Sequence, residues 1–185
     1  MKAVFDTSSL LAIVGYYIPC QKDNQLVDFF REKFLSGEFL LLDKVFDEIQ
    51  LVANGVVLEY LTFLKEPQLR IGTDSILPSR AFMGLASNQF CNKDVLKSKG
   101  LNEIEIETEL TRFLNSADGR LLLYTYDKKR RGEEIILVTE ESNRNNDGKP
   151  YRKLPICCNH MQVKCSTLPQ FLKNYDGFRF SDYLI

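Results

Sequence analysis

Seven acidic residues stand where apolar runs stop or helices start: Asp6, Asp43, Asp47, Glu48, Asp118, Glu140 and Glu141. In a parallel α/β sheet these strand ends share one edge, and ligands bind in the crevice beside it. Gathered carboxylates repel one another and raise each other's pKa unless a cation intervenes. A hard divalent ion suits them, since Mg²⁺ takes one or two protein carboxylates together with waters and substrate phosphates. The chemistry expected from this set is metal-assisted phosphodiester hydrolysis. The ion lowers the pKa of a bound water and neutralises charge on the phosphoryl oxygens.

The elements that must position these acids are legible in outline. Val4-Phe5-Asp6-Thr7-Ser8-Ser9-Leu10-Leu11 is a strand-type run that stops on an aspartate, with small hydroxyl residues and a helical pattern after it. The strand is expected over 2–6, and a helix starts at 8–14. A second helix is expected over 25–35, with Leu26, Phe29, Phe30 and Phe34 near one face. Phe39-Leu40-Leu41-Leu42 reads as a strand buried on both faces. Asp43 can cap a helix running from Lys44 to about Leu64. Successive helical residues diverge by about 100°, so only one of Asp47 and Glu48 can face the crevice. Glu48 lies with Val45, Ile49 and Val52 and is the choice. Ala81 to Lys99 is weakly helical, and Glu103 to Leu114 is an acidic helix. Asn115-Ser116-Ala117-Asp118 opens a helix through Tyr126, closed by the cations Lys128 to Arg131. Ile135 to Thr139 is a further buried strand, ending on Glu140-Glu141, and 142–153 is a polar loop. Gln162 to Cys165 reads as a last strand and Leu168 to Leu172 as a short helix. Strands alternating with helices imply a parallel sheet covered on both faces.

Several of these segments carry a family likeness. Phe5 to Leu11 resembles the opening of PIN-domain ribonucleases, and Val45-Phe46-Asp47-Glu48-Ile49 is similar to their second motif. Ser116-Ala117-Asp118 with Leu121-Leu122 looks like the third, and Leu137-Val138-Thr139-Glu140-Glu141 like the fourth. Lys153 to Cys157, Val163 to Cys165 and Leu168 to Leu172 resemble the closing strand and helix. The likeness implies one PIN-like α/β/α domain over 1–185, with a central parallel sheet of four or five strands. Residues 67–115 fall outside it and are expected to form a helical insertion. It further implies a metal-dependent endoribonuclease, with Asp6, Glu48, Asp118 and Glu141 around one or two Mg²⁺ or Mn²⁺ ions. Asp6 would be the central ligand, and Glu140 is the rival of Glu141. Ser8 and Thr139 would orient the carboxylates by hydrogen bonds. Water would displace the 3′ oxygen and leave a 5′ phosphate. The likeness is to a larger bacterial PIN-like subfamily, many of whose members are toxins of toxin–antitoxin pairs. RNA, a protein antitoxin and a second copy of the chain are the partners it implies.

Composition frames these expectations. A net charge of −1 over 185 residues neither favours nor excludes a polyanion. Cations near the site therefore matter most, and Arg144 and Arg152, with Lys149 and Lys153, follow the fourth motif. The lone His160 lies beyond the acidic motifs, which argues against histidine acid–base chemistry. Five cysteines without a Cys-x-x-Cys pair suit a reducing compartment, and buried thiols near a strand are expected rather than zinc. With no leader pattern at the start and no long apolar stretch, a cytoplasmic protein is expected, with no membrane contact. The aromatic-rich tail, Asn174 to Ile185, is expected to pack back on the domain, and Phe178, Phe180 and Tyr183 are alternatively expected to be exposed and available for dimerisation. Two rivals remain. Haloacid dehalogenase-type phosphotransfer wants a second aspartate two residues after the first, where this chain has Ser8. A non-catalytic PIN-like module binding RNA or protein would tolerate Asp6→Asn.

Overall fold

Five strands form the centre: β1 (Lys2–Phe5), β2 (Phe39–Leu42), β3 (Arg70–Ile71), β4 (Ile135–Val138) and β5 (Lys164–Ser166). They pair in the order β3-β2-β1-β4-β5, every pair parallel, with Val4 opposite Leu40 on one side and Leu137 on the other. The structure is a computed structural model and describes residues 1–144 and 148–185. Asn145-Asn146-Asp147 of the expected polar loop lie outside the described residues.

Continuous apolar runs make β2 and β4 buried along their whole length, as expected for strands covered on both faces. One layer is aromatic. Phe5 packs within 6.3 Å, centroid to centroid, of Phe39, of Phe30 and Phe34 on α2 (Gln25–Leu35), and of Phe171 on α10 (Leu168–Lys173). Edge-to-face and tilted pairs of this kind add to the burial of the rings themselves. The other layer is built from α3 (Asp43–Leu51), α8 (Ala117–Arg130) and α9 (Leu154–Met161), with α8 in contact with both its neighbours. The architecture is thus a three-layer α/β/α sandwich on a parallel sheet, as the alternating pattern predicts. Among the described residues no helix is long and apolar enough to cross a membrane.

Three local expectations need correction. The helix expected from Lys44 to about Leu64 breaks after α3, because Ala53, Asn54 and Gly55 all take positive φ, and α4 (Val56–Tyr60) restarts it. The Asn54-Gly55 pair was the turn signal, hidden by apolar residues on either side. Residues 67–115 contribute more than helices. They supply β3, the edge strand beside β2, before α5 (Arg80–Leu85), α6 (Lys93–Ser98) and α7 (Glu103–Asn115). The segment at 154–161 is a helix: Pro155 sits in its first turn and Gln162 closes it in the left-handed region. Cys157 and Cys158 are therefore buried on a helix, while Cys165 lies on β5. The tail folds back, with Phe178 buried against Phe29 and stacked on Tyr183 at 4.8 Å, and Phe180 stacked on Tyr17. Phe178 is thus buried, while Phe180 and Tyr183 are half-buried.

A candidate active site at the reversal of strand order

Strand order reverses at β1: β2 and β3 lie to one side, β4 and β5 to the other. The crevice at the carboxyl ends of β1 and β4 is therefore the switch point at which open α/β sheets bind ligands. Asp6 leaves β1 here with its N–H on the carbonyl of Val138, and its carboxylate begins α1 (Thr7–Ala12) as the N-cap. Ser8 Oγ donates to Asp6 Oδ2 at 2.5 Å and Thr139 Oγ1 donates to the same oxygen at 2.8 Å. The backbone N–H groups of Glu140 and Glu141 donate in turn to Ser8 Oγ and Thr139 Oγ1. Ser9 Oγ bridges the strands beneath, donating to the carbonyls of Asp6 and Val138 at 2.7 and 2.9 Å. The hydroxyls following Asp6 thus fix its orientation, which is the role expected of Ser8 and Thr139.

The remaining acids sort by where their oxygens go. Glu48, on α3, accepts from Thr7 Oγ1, while Asp47 is turned to the surface and pairs with Lys44 at 3.4 Å. Asp43 is used structurally, accepting from Thr73 N–H and Oγ1 at 2.9 and 2.7 Å and so joining the segment after β3 to α3. Glu140 and Glu141 diverge. Glu140 accepts from the N–H of Leu168 at 2.6 Å, at the start of α10. Glu141 accepts from Leu154 N–H at 2.7 Å, at the start of α9, and lines a cavity together with Asp118.

Asp118 lies in the first turn of α8, whose N-cap Ser116 accepts from Gly119 N–H. Its carboxyl is pushed up to about 7, first by burial, then by the charges of Asp6, Glu141 and Glu48, with Lys149 opposing. The charges of Asp6, Glu141 and Glu48 thus all reach Asp118, and the Cys157 thiol is pushed up by burial and by Asp118 and Glu141.

The expected Mg²⁺ or Mn²⁺ centre is not assembled. Among the described residues no three His, Cys, Asp or Glu side chains form a group that could hold a metal ion. Asp6 accepts from Thr139 Oγ1, Glu48 from Thr7 Oγ1 and Glu141 from Leu154 N–H, each donor coming from another segment of the chain. Burial and the charges of Asp6, Glu141 and Glu48 favour the protonated form of Asp118.

That proton has a thermodynamic consequence. An unfolded Asp118 releases it near 3.8 and the folded one near 7, so between these values the folded state binds more protons and stability falls as pH rises. Asp118→Asn is expected to stabilise the fold at about pH 8 by on the order of 2 kcal/mol, with the gain vanishing below about pH 4. Urea denaturation of both proteins at the two pH values checks this. A gain that does not depend on pH would contradict it.

The cavity beside Asp118 has a volume of about 170 Å³. Arg152, Lys149 and Lys153 line it, as does Arg112, while Arg144 is exposed at the start of the loop. Thr7, Arg112 and Tyr151 are the site residues that the motifs did not reveal. Thr7 stood among other hydroxyls, and Arg112 and Tyr151 come from segments far apart in sequence. Lys128 and Lys129 end α8 away from the crevice, on Glu133 and on the carbonyls of Met161 and Gln162.

The family model described as "Domain of unknown function (DUF4411)" matches residues 84–180, just over half of the chain. The chain belongs to the DUF4411 family. The matched DUF4411 region holds Asp118, Glu141 and the whole cavity lining, while Asp6 and Glu48 precede it. No curated protein and no solved structure matches the chain.

Proposed function

We propose that this DUF4411 protein is an endoribonuclease that hydrolyses RNA phosphodiester bonds in the crevice between β1 and β4. The observation that carries the reading is the convergence there of Asp6, Glu48, Asp118 and Glu141, with Asp118 pushed up to about 7. In-line hydrolysis takes one proton from the attacking water and returns one to the leaving 3′ oxygen. A carboxyl that titrates near neutrality can take the first of these. Ionised Asp118 accepts the water proton, the water oxygen bonds to phosphorus, and the bond to the 3′ oxygen breaks as that oxygen takes a proton from solvent water on the far side. Asp6, held by Ser8 and Thr139, supports this proton traffic by its charge. The order of the acids along the chain, which resembles that of PIN ribonucleases, supports the same reading. The setting we propose is a toxin–antitoxin pair, with a protein antitoxin covering the mouth of the crevice.

One observation favours a second reading, that of a non-catalytic module. Glu140 and Glu141 each spend an oxygen on a helix N-terminus, a structural use. Incubation of a mixed RNA pool with wild type and with Asp6→Asn separates the two. The nuclease reading expects cleavage by wild type and a loss of roughly 100-fold or more in the variant. Intact RNA after incubation with folded wild type, or equal cleavage by both proteins, would favour the binding module.

A further inference from the structure

The wall of the cavity opposite the acids is aromatic. Phe113, near the end of α7, and Tyr151 lie face to face, with ring centroids 3.9 Å apart and planes 2° apart. The wall is braced from behind. Cys91 and Tyr151 form an antiparallel bridge, Asn92 N–H donates to the Pro150 carbonyl at 2.7 Å, and Arg152 N–H donates to the Phe90 carbonyl at 2.8 Å. A stacked pair held this way offers a planar surface at little cost in conformational entropy.

The cations beside it are poorly matched within the protein. Among the described residues the Nε of Arg152 is buried with no hydrogen-bond partner, as are those of Arg70 and Arg120. Glu109 is neutralised by Arg112 at 2.7 Å, and Glu141 is held by Leu154 N–H. Lys149, Arg152 and Lys153 line the cavity alongside Asp118 and Glu141.

We infer that this cavity is a nucleotide subsite: it seats one unpaired nucleotide of an RNA strand, with the base against the Tyr151–Phe113 wall and a phosphate on Arg152 and Lys149. The inference rests on the ribonuclease reading and deepens it by specifying single-stranded RNA. Stacking needs an unstacked base, which a duplex does not present, and every base has a face that can stack. The phosphate meets the positive charges of Arg152 and Lys149 that line the cavity.

The test is fluorescence anisotropy with a short fluorescein-labelled single-stranded RNA, the same RNA annealed to its complement, and inorganic phosphate as competitor. The background is Asp6→Asn, which lies outside the cavity lining and keeps the RNA intact. Tyr151→Leu is expected to weaken single-strand binding roughly 10-fold while Tyr151→Phe retains it, because the ring face is what counts. Arg152→Met is expected to weaken binding roughly 10-fold and to blunt competition by phosphate. The duplex is expected to bind at least roughly 10-fold more weakly than the single strand. Circular dichroism confirms that each variant is folded, and the Phe variant keeps the test open if the Leu variant is not. Unchanged affinity in folded Tyr151→Leu and Arg152→Met, or equal binding of duplex and single strand, overturns the subsite. If wild type still cleaves RNA in that case, the ribonuclease reading survives. If folded protein neither binds nor cleaves any RNA, both fall.

Discussion

Asp118→Asn is expected to slow RNA cleavage by about three orders of magnitude while leaving the protein folded. The amide is close to the carboxyl in shape and cannot accept the proton of the attacking water. In the wild type the rate at low RNA concentration is expected to rise about tenfold per pH unit below about 7 and to level off above it, following ionisation of Asp118. The variant's residual rate is expected to be flat across that range. Its stability gain at alkaline pH has the same origin, since the charge that serves the chemistry is the one the crowded crevice disfavours. A variant with full activity, or a wild-type profile without a break near neutrality, would remove Asp118 from the proton transfer.

Gly119→Ala is expected to destabilise the fold by about 3 kcal/mol. A Cβ at Gly119 would lie 2.0 Å from the Phe113 carbonyl oxygen, 2.8 Å from its carbon and 3.0 Å from the Leu114 Cα, all of them backbone atoms. The corner between α7 and α8 cannot easily open to make room. The Phe113 carbonyl already accepts from Ser116 N–H at 3.0 Å and Ser116 Oγ at 2.7 Å, and the same hydroxyl caps α8. On helix propensity alone the change would stabilise by about 1 kcal/mol, so the sign discriminates between the two effects. Thermal unfolding is expected to shift down by roughly 6–12 °C for a domain of this size. Cleavage should fall as well, because α8 carries Asp118 next to the displaced residue. An unchanged or raised midpoint would mean that the corner is looser than described.

The sheet was readable because its strands are short apolar runs that end on polar residues. Phe39 to Leu42 became β2 and Gln25 to Leu35 became α2 with the expected ends. Ser116 was readable as a cap because its hydroxyl has a defined partner two to three residues on. Where tertiary contacts decide, the sequence is quieter. β3 has two residues, too few for any periodicity, and exists because β2 offers it an edge. The helix at 154–161 had no element assigned to it, and only Pro155, in its first turn, marked its start. The acids at strand ends were visible, but which way each carboxylate turns was not. Glu140 and Glu141 are neighbours that cap different helices, and only the placement of α9 and α10 separates them. Among the described residues the acids do not gather into a group of three that could hold a metal ion. Gly119 was invisible as a constraint until the backbone it touches was in place.

The most direct test of this account is a ¹³C NMR titration of the Asp118 carboxyl in wild type and in Asp6→Asn. If the four acids share one crevice, the wild-type midpoint falls near 7 and moves down when the charge of Asp6 is removed. A midpoint near the ordinary 3.8 in both proteins would mean that the carboxyls do not crowd one another, and the proposed chemistry would lose its proton carrier.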